Sequence, residues 1–367
     1  MKYLKRFDDH ADYTAYTATT SFVRPNTSVC NQEDHVHFNE YSFEYEYLTF
    51  VAIERGTFKF SGNSISYSID SGNTWTSLAS NTNSPYVDAG STIMWKASGL
   101  TPTSSKGIGK FSSTGQFKVM GNIMSLVSGD SFSNATTIAN YQFYALFKSC
   151  YYLISAKNLI LPTTTLANYC YHQMFFGCTS LTTAPKLPAT TLANACYFGM
   201  FENCYELTEA PVLPAESMAT SAYSYMFASC YSIAAAPELP ATTLANYCYV
   251  SMFYNCRSII TAPELPATAL TTNCYNCMFQ ACSGLTTIPE LPAITLVSGC
   301  YSYMFSGCTS LNYIKAMFTT TPSTTYTNNW VNGVAASGTF VKNSAAQWNV
   351  TGTSGIPSGW TVQTASA

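Results

Sequence analysis

From residue 147 to residue 305 the chain repeats one phrase every 26 residues, and no other property restricts its fold as much. Met-Phe stands at Met174/Phe175, Met200/Phe201, Met226/Phe227, Met252/Phe253, Met278/Phe279 and Met304/Phe305. A cysteine follows each of these phenylalanines by three residues, at Cys178, Cys204, Cys230, Cys256, Cys282 and Cys308. A unit this short cannot bury an apolar face alone, so successive units must stack and share one core. Chains built on that plan mostly serve as binding surfaces.

The copy that starts at Leu181 shows how one unit reads. Leu181 to Ala184 predicts a short strand, stopped by Pro185 and Pro188, which cannot donate to a ladder. Leu192, Cys196, Met200 and Cys204 then recur every fourth residue, the spacing of one helical face. The expected fold class is therefore α+β. A leucine-rich-repeat-like solenoid of about seven 26-residue turns covers 136–314, counting a degenerate copy at Leu146/Phe147, with a helix behind each short parallel strand.

A second cysteine ladder runs through Cys170, Cys196, Cys248, Cys274 and Cys300, with Ala222 on the missing rung. A position that takes Cys or Ala is small, buried and apolar, so the thiols are expected to be free core residues. The Tyr171, Tyr197, Tyr223, Tyr249, Tyr275 and Tyr301 column is unbroken. It reads as packing of rings along the stack, with a sugar-stacking platform as the alternative. Just after that column the residues vary from copy to copy. His172, Phe198, Tyr225, Val250, Asn276 and Tyr303 are the candidate ligand contacts, although drift on an idle solvent face predicts the same variation. Glu238, Glu264 and Glu290 form a like-charged column, read as a solvated edge with a shared Ca²⁺ as the alternative.

Charged residues make up only 10% of the chain and the net charge is −3, which leaves no basic footprint for nucleic acid. No apolar run reaches the length of a membrane span, and the basic N-terminus lacks the apolar stretch of a secretory signal, so synthesis and retention in the cytoplasm are expected. No cofactor and no catalytic cluster is expected. His35 and His37, with Cys30 or Asp34, could bind Zn²⁺, but two ordinary histidines explain them as well. Cys274 and Cys277 have CxxC spacing, yet Cys274 is a ladder rung and Cys277 lies in the variable region. Ser68-Ile-Asp70-Ser-Gly72-Asn-Thr74-Trp75 fits the Asp-box consensus and reads as a hairpin turn.

Outside the repeats, residues 1–47 hold three of the four histidines and end in an aromatic run at 38–47, and this opening resembles N-terminal segments of Bacteroides phage virion proteins, which implies an attachment or oligomerisation segment. Residues 48–135 carry strand signals at 48–53, 57–60, 64–69, 74–78, 92–96 and 115–119, separated by Gly, Asn, Ser and Pro, and are expected to form an antiparallel, Ig-like β-sandwich. Residues 315–367 leave the period and are expected to form a C-terminal β cap over the last copy.

The segments LPATTLANYCY, MFFGCTSLTTAP and MFSGCTSL resemble BspA-like, or treponemal-type, leucine-rich repeats in the form found in gut Bacteroidales and in their phages, including crAss-like phages. The resemblance spans roughly residues 140 to 315. It implies adhesion or surface recognition without catalysis. With no export signal, it implies a phage virion protein, a head or tail fibre or decoration protein assembled in the bacterial cytoplasm. Such a protein would join other virion proteins through its N-terminal region, with a homotrimer as one arrangement, and present the repeats to the particle surface or to a host-surface glycan or protein. A bacterial cell-surface adhesin is the alternative, and a glycan-active enzyme is third.

Overall fold

The computed structural model describes residues 46–103 and 106–365. The expected attachment segment up to residue 45, including the His35/His37 zinc reading, lies outside the described residues.

The first region is built on alternation. In β1 (Leu48–Ala52) the side chains of Leu48, Phe50 and Ala52 are completely buried, and β5 (Thr92–Lys96) and β7 (Phe117–Asn122) turn Ile93, Trp95, Phe117 and Val119 to the same core. With β3 (Ile65–Ser68), β4 (Thr76–Leu78) and β8 (Leu153–Ile160) they form one six-stranded sheet in the order β4-β3-β5-β1-β7-β8. β2 (Phe58–Phe60) and β6 (Phe111–Ser113) form a separate antiparallel pair. A single short α-helix, α1 (Ser125–Ser128), follows β7. All six strand signals expected between 48 and 119 are strands.

The Ig-like sandwich is corrected. The main sheet is mixed, because β8 joins β7 in parallel, and β8 comes from the start of the segment expected to hold the repeats. The hairpin between β3 and β4 forms as the Asp-box reading requires. The Asp70 carboxylate accepts from the Thr74 N–H (2.9 Å), the Thr74 hydroxyl (2.7 Å) and the Ser68 hydroxyl (2.7 Å), while Ser71 and Gly72 take φ of 62° and 86°.

The leucine-rich-repeat solenoid is also corrected. The described residues contain three sheets, none closed, and no helix in any copy. Where a strand was expected there are single parallel bridges such as Thr183 to Glu209 and Thr261 to Thr287, because the flanking prolines leave no room for a longer ladder. Where a helix was expected the chain runs through successive four-residue turns. Every second N–H reaches the next copy: Tyr171 donates to the Cys196 carbonyl (3.0 Å), Gln173 to Phe198 (2.8 Å), Phe175 to Met200 (2.9 Å) and Gly177 to Glu202 (2.8 Å). The intervening N–H groups close turns within the copy, Met174 donating to Tyr171 (3.1 Å) and Cys178 to Phe175 (3.0 Å). Half of the backbone bonding of each run of turns is thus supplied by the neighbouring copy.

Each turn needs one left-handed residue. Tyr169, Gln173 and Gly177 have φ of 57°, 52° and 69°, and Asn273, Cys277 and Ala281 repeat this at 54°, 54° and 62° four copies on. The two residues after each left-handed position point inward, so Cys170/Tyr171 and Met174/Phe175 are buried while His172 and Gln173 are half-buried. That is a period of four. A helical face drifts by about 40° for each step of four residues, since one turn holds 3.6, and could not keep this register through three ladders.

Two ring columns run along the interior. Phe147, Phe175 and Phe201 stack at 5.4 and 5.5 Å, and the phenylalanine column continues to Phe305. The tyrosine column starts from Phe143 and ends at Tyr301. Phe147 also stacks on Phe111 (5.8 Å), which ties the copies to the first region in one contiguous core. At the other end Trp330 meets both Tyr301 and Phe305 at 6.2 Å, is fully buried, and donates its indole N–H to the Gly355 carbonyl (2.8 Å). The period survives here in the backbone: Phe305 donates to Trp330 (2.9 Å), and Gly333 takes the left-handed place of Gly307. A parallel sheet of β9 (Tyr313–Ala316), β10 (Thr339–Lys342) and β11 (Thr361–Thr364) flanks this end, with Thr339 in register with Tyr313, 26 residues earlier.

Candidate functional site

The ladders show what is unavailable for contact. All six tyrosines of the unbroken column are at most 1% exposed, and their faces lie on one another, as Tyr171 on Tyr197 at 5.7 Å and Tyr275 on Tyr301 at 6.0 Å. They pack the core and offer no platform. The cysteines of both ladders are free and buried. Burial pushes the Cys196 and Cys256 thiols up to about 12 and that of Cys204 well above its ordinary value, so none is a nucleophile at neutral pH.

The first ladder has a role beyond filling space. Cys178, Cys204, Cys230, Cys256, Cys282 and Cys308 each direct Sγ at the carbonyl of a phenylalanine in the preceding copy, at 2.9 to 3.2 Å. That carbonyl already accepts a backbone N–H three residues on, so the thiol uses its second lone pair. The second ladder lacks this bond at Cys170, Cys196 and Cys274, and Cys248 and Cys300 reach a carbonyl only at 4.0 and 3.9 Å. This is why Ala222 can replace one rung.

The six candidate contact residues divide. His172, Phe198 and Tyr225 come together: His172 stacks on Phe198 (4.7 Å, 11°), and Phe198 meets Tyr225 at 5.3 Å. The file begins with Tyr144, which covers the other face of His172 (4.8 Å, 7°). Val250 has no ring to extend it. The Asn276 amide is held by Asn273 (3.1 Å) and the Cys277 thiol (2.8 Å), and the Tyr303 hydroxyl accepts from the Asn328 amide (3.1 Å). Burial chiefly, and then the Lys148 charge, lower the His172 pKa to about 4, so it is neutral above that. Of the glutamate column, Glu290 pairs with Lys315 (2.7 Å) and the others are exposed, and no metal-holding group of His, Cys, Asp and Glu exists among the described residues.

Two clefts open on the stack, the smaller of them beside the His172 file. One of about 210 Å³ is lined by Tyr169, His172, Asn194, Ala195, Phe198, Thr220 and Ser221. The other, of about 420 Å³, is lined by Thr190, Thr191, Leu192, Pro214, Glu216, Ser217 and Met218, so the two follow the same pair of copies. Parallel bridges join Thr165 to Thr191 and Ser217 to Thr243, and none joins Thr191 to Ser217.

The residues that shape the smaller cleft precede each cysteine rung by one. Tyr169, Ala195, Ser221, Tyr247, Asn273 and Gly299 all take positive φ, and this column varies as widely as the one after the tyrosines. That variation was the available signal, hidden because the four-residue spacing placed these residues on an expected helix. No helix among the described residues is long and apolar enough to cross a membrane. No family model, curated protein or solved structure matches this chain, so its role must be argued from the stack and its surface.

Proposed function

We propose that this chain is a non-enzymatic structural protein that holds a rigid stack of copies outward for surface contact, as a fibre or decoration protein of a phage virion. One observation carries the reading. The Tyr, Met, Phe and first Cys columns, which repeat without change, are interior, whereas His172, Phe198, Tyr225 and the rim of the smaller cleft at Asn194, Thr220 and Ser221, which differ between copies, reach solvent. A catalyst has to expose the same few reactive groups. Here the ladder thiols are buried, His172 stands between two rings, and the tyrosines of the unbroken column are buried.

The virion setting rests on the resemblance of the repeated segments, and on it the N-terminal region would dock to the particle. Fractionation of the cells and particles that produce the chain tests this. Mass spectrometry should find it in purified particles in fixed ratio to the capsid protein. Recovery with the outer surface of uninfected cells would overturn it in favour of the adhesin.

A further inference from the structure

We propose that the smaller cleft is a binding slot for one ring of a neutral saccharide, seated on the free face of Tyr169. This rests on the contact reading above and gives it a ligand class. The slot is a gap in an aromatic file. Tyr141 and Tyr169 stack face to face at 4.7 Å and 2°, and the same column continues as Ala195 and Ser221 before the next tyrosine, Tyr247. Two successive layers therefore lack a ring. The face of Tyr169 opposite Tyr141 has no aromatic partner in the next layer and borders the cleft of about 210 Å³ over Ala195 and Ser221.

The polar rim is unpaired at the same place. In this stack an asparagine side chain caps the next copy: Asn140 accepts from the Asn168 N–H (3.0 Å), Asn168 from Asn194 (3.1 Å) and Asn246 from Thr272 (3.1 Å). Asn194 should cap Thr220 and does not, so its amide and the Thr220 N–H are both left without a protein partner at the mouth of the slot. An apolar ring face beside an unused amide, an N–H and the Thr220 and Ser221 hydroxyls matches a pyranose, which has an apolar C–H face and hydroxyls on its rim. No cation lines the slot, which disfavours a nucleotide or an acidic sugar.

The test uses the full chain and a panel of neutral gluco-, galacto- and mannopyranosyl oligosaccharides, read by saturation-transfer NMR and titration calorimetry. Ala195→Tyr is the main variant: the column already holds tyrosine at φ of 57° and 62°, so the new ring completes the file and fills the slot without straining the backbone. The proposal expects at least one neutral saccharide to bind, a loss of at least tenfold with Ala195→Tyr and with Tyr169→Ala, an unlowered Tm for Ala195→Tyr, and unchanged binding with Tyr205→Ala, whose ring lies in a different stacked pair. Absence of binding by every neutral saccharide, or binding that survives Ala195→Tyr, overturns it. If the chain is on particles yet binds no saccharide, this inference fails alone. If it binds but is absent from particles, the virion reading fails alone.

Discussion

At the residue scale the structure separates side chains that the repeat makes look equivalent. Cys204 and Cys196 are both buried rungs, but only Cys204 donates to a carbonyl, that of Phe175 at 3.2 Å. Cys204→Ala should therefore cost more than Cys196→Ala by about 0.5–1 kcal/mol, the worth of a weak hydrogen bond, in paired denaturant titrations. His172 gives a pH prediction. Its folded pKa lies near 4, below the unfolded 6.5, so protons bind the unfolded chain first and stability falls as pH drops from 6.5 towards 4. The loss should be on the order of 1–3 kcal/mol. His172→Phe, which keeps the stack between Tyr144 and Phe198, should remove that part of the slope in melts at pH 7 and pH 4.5; an unchanged slope would show that other groups cause it. Both roles were partly legible. The ladder position of Cys204 says buried, but nothing in the sequence says where its S–H points.

At the element scale the hairpin between β3 and β4 is the clearest case of a local motif deciding local structure. Three donors surround Asp70 and hold its carboxyl down to about 2, the Thr74 N–H first and the Ser68 and Thr74 hydroxyls after it. The turn should accordingly persist below the ordinary carboxylate range and be lost only as pH falls through about 2. The Thr74 amide resonance should titrate with that midpoint; a midpoint near 3.8 would mean that the bonds do not form in solution. The strands of the first region were readable because alternation of Leu48, Phe50 and Ala52 has a period of two and no other common element shares it. The turn run was not. Leu192, Cys196, Met200 and Cys204 fit a helical face over one copy, and the contrary sign, Gly177, Asn203, Asn255 and Gly307 in one column, shows only once that column is set apart as left-handed.

At the scale of the whole molecule, β8 in the sheet of β1 and β7, the Phe111–Phe147 contact and Trp330 over the last rings make the described residues one connected core. Unfolding by guanidinium should then be a single transition by both fluorescence and far-UV CD, and separate transitions would mean that the first region folds apart from the copies. Trp330→Ala leaves the Tyr301 and Phe305 faces uncovered and should cost about 3–5 kcal/mol. The sequence hid this closing layer, because a tryptophan stands where the phenylalanine column leads one to look for Met-Phe. The central claim is that four-residue turns with a left-handed residue in each, bonded from copy to copy, make up the stack. Ala281 sits at such a position, φ 62°, and Ala228 at a right-handed one, so replacing each by glycine tests it most directly. The account predicts that Ala281→Gly leaves stability unchanged or raises it by up to about 1 kcal/mol while Ala228→Gly lowers it. A loss of about 1 kcal/mol with Ala281→Gly, as glycine causes inside a helix, would contradict it.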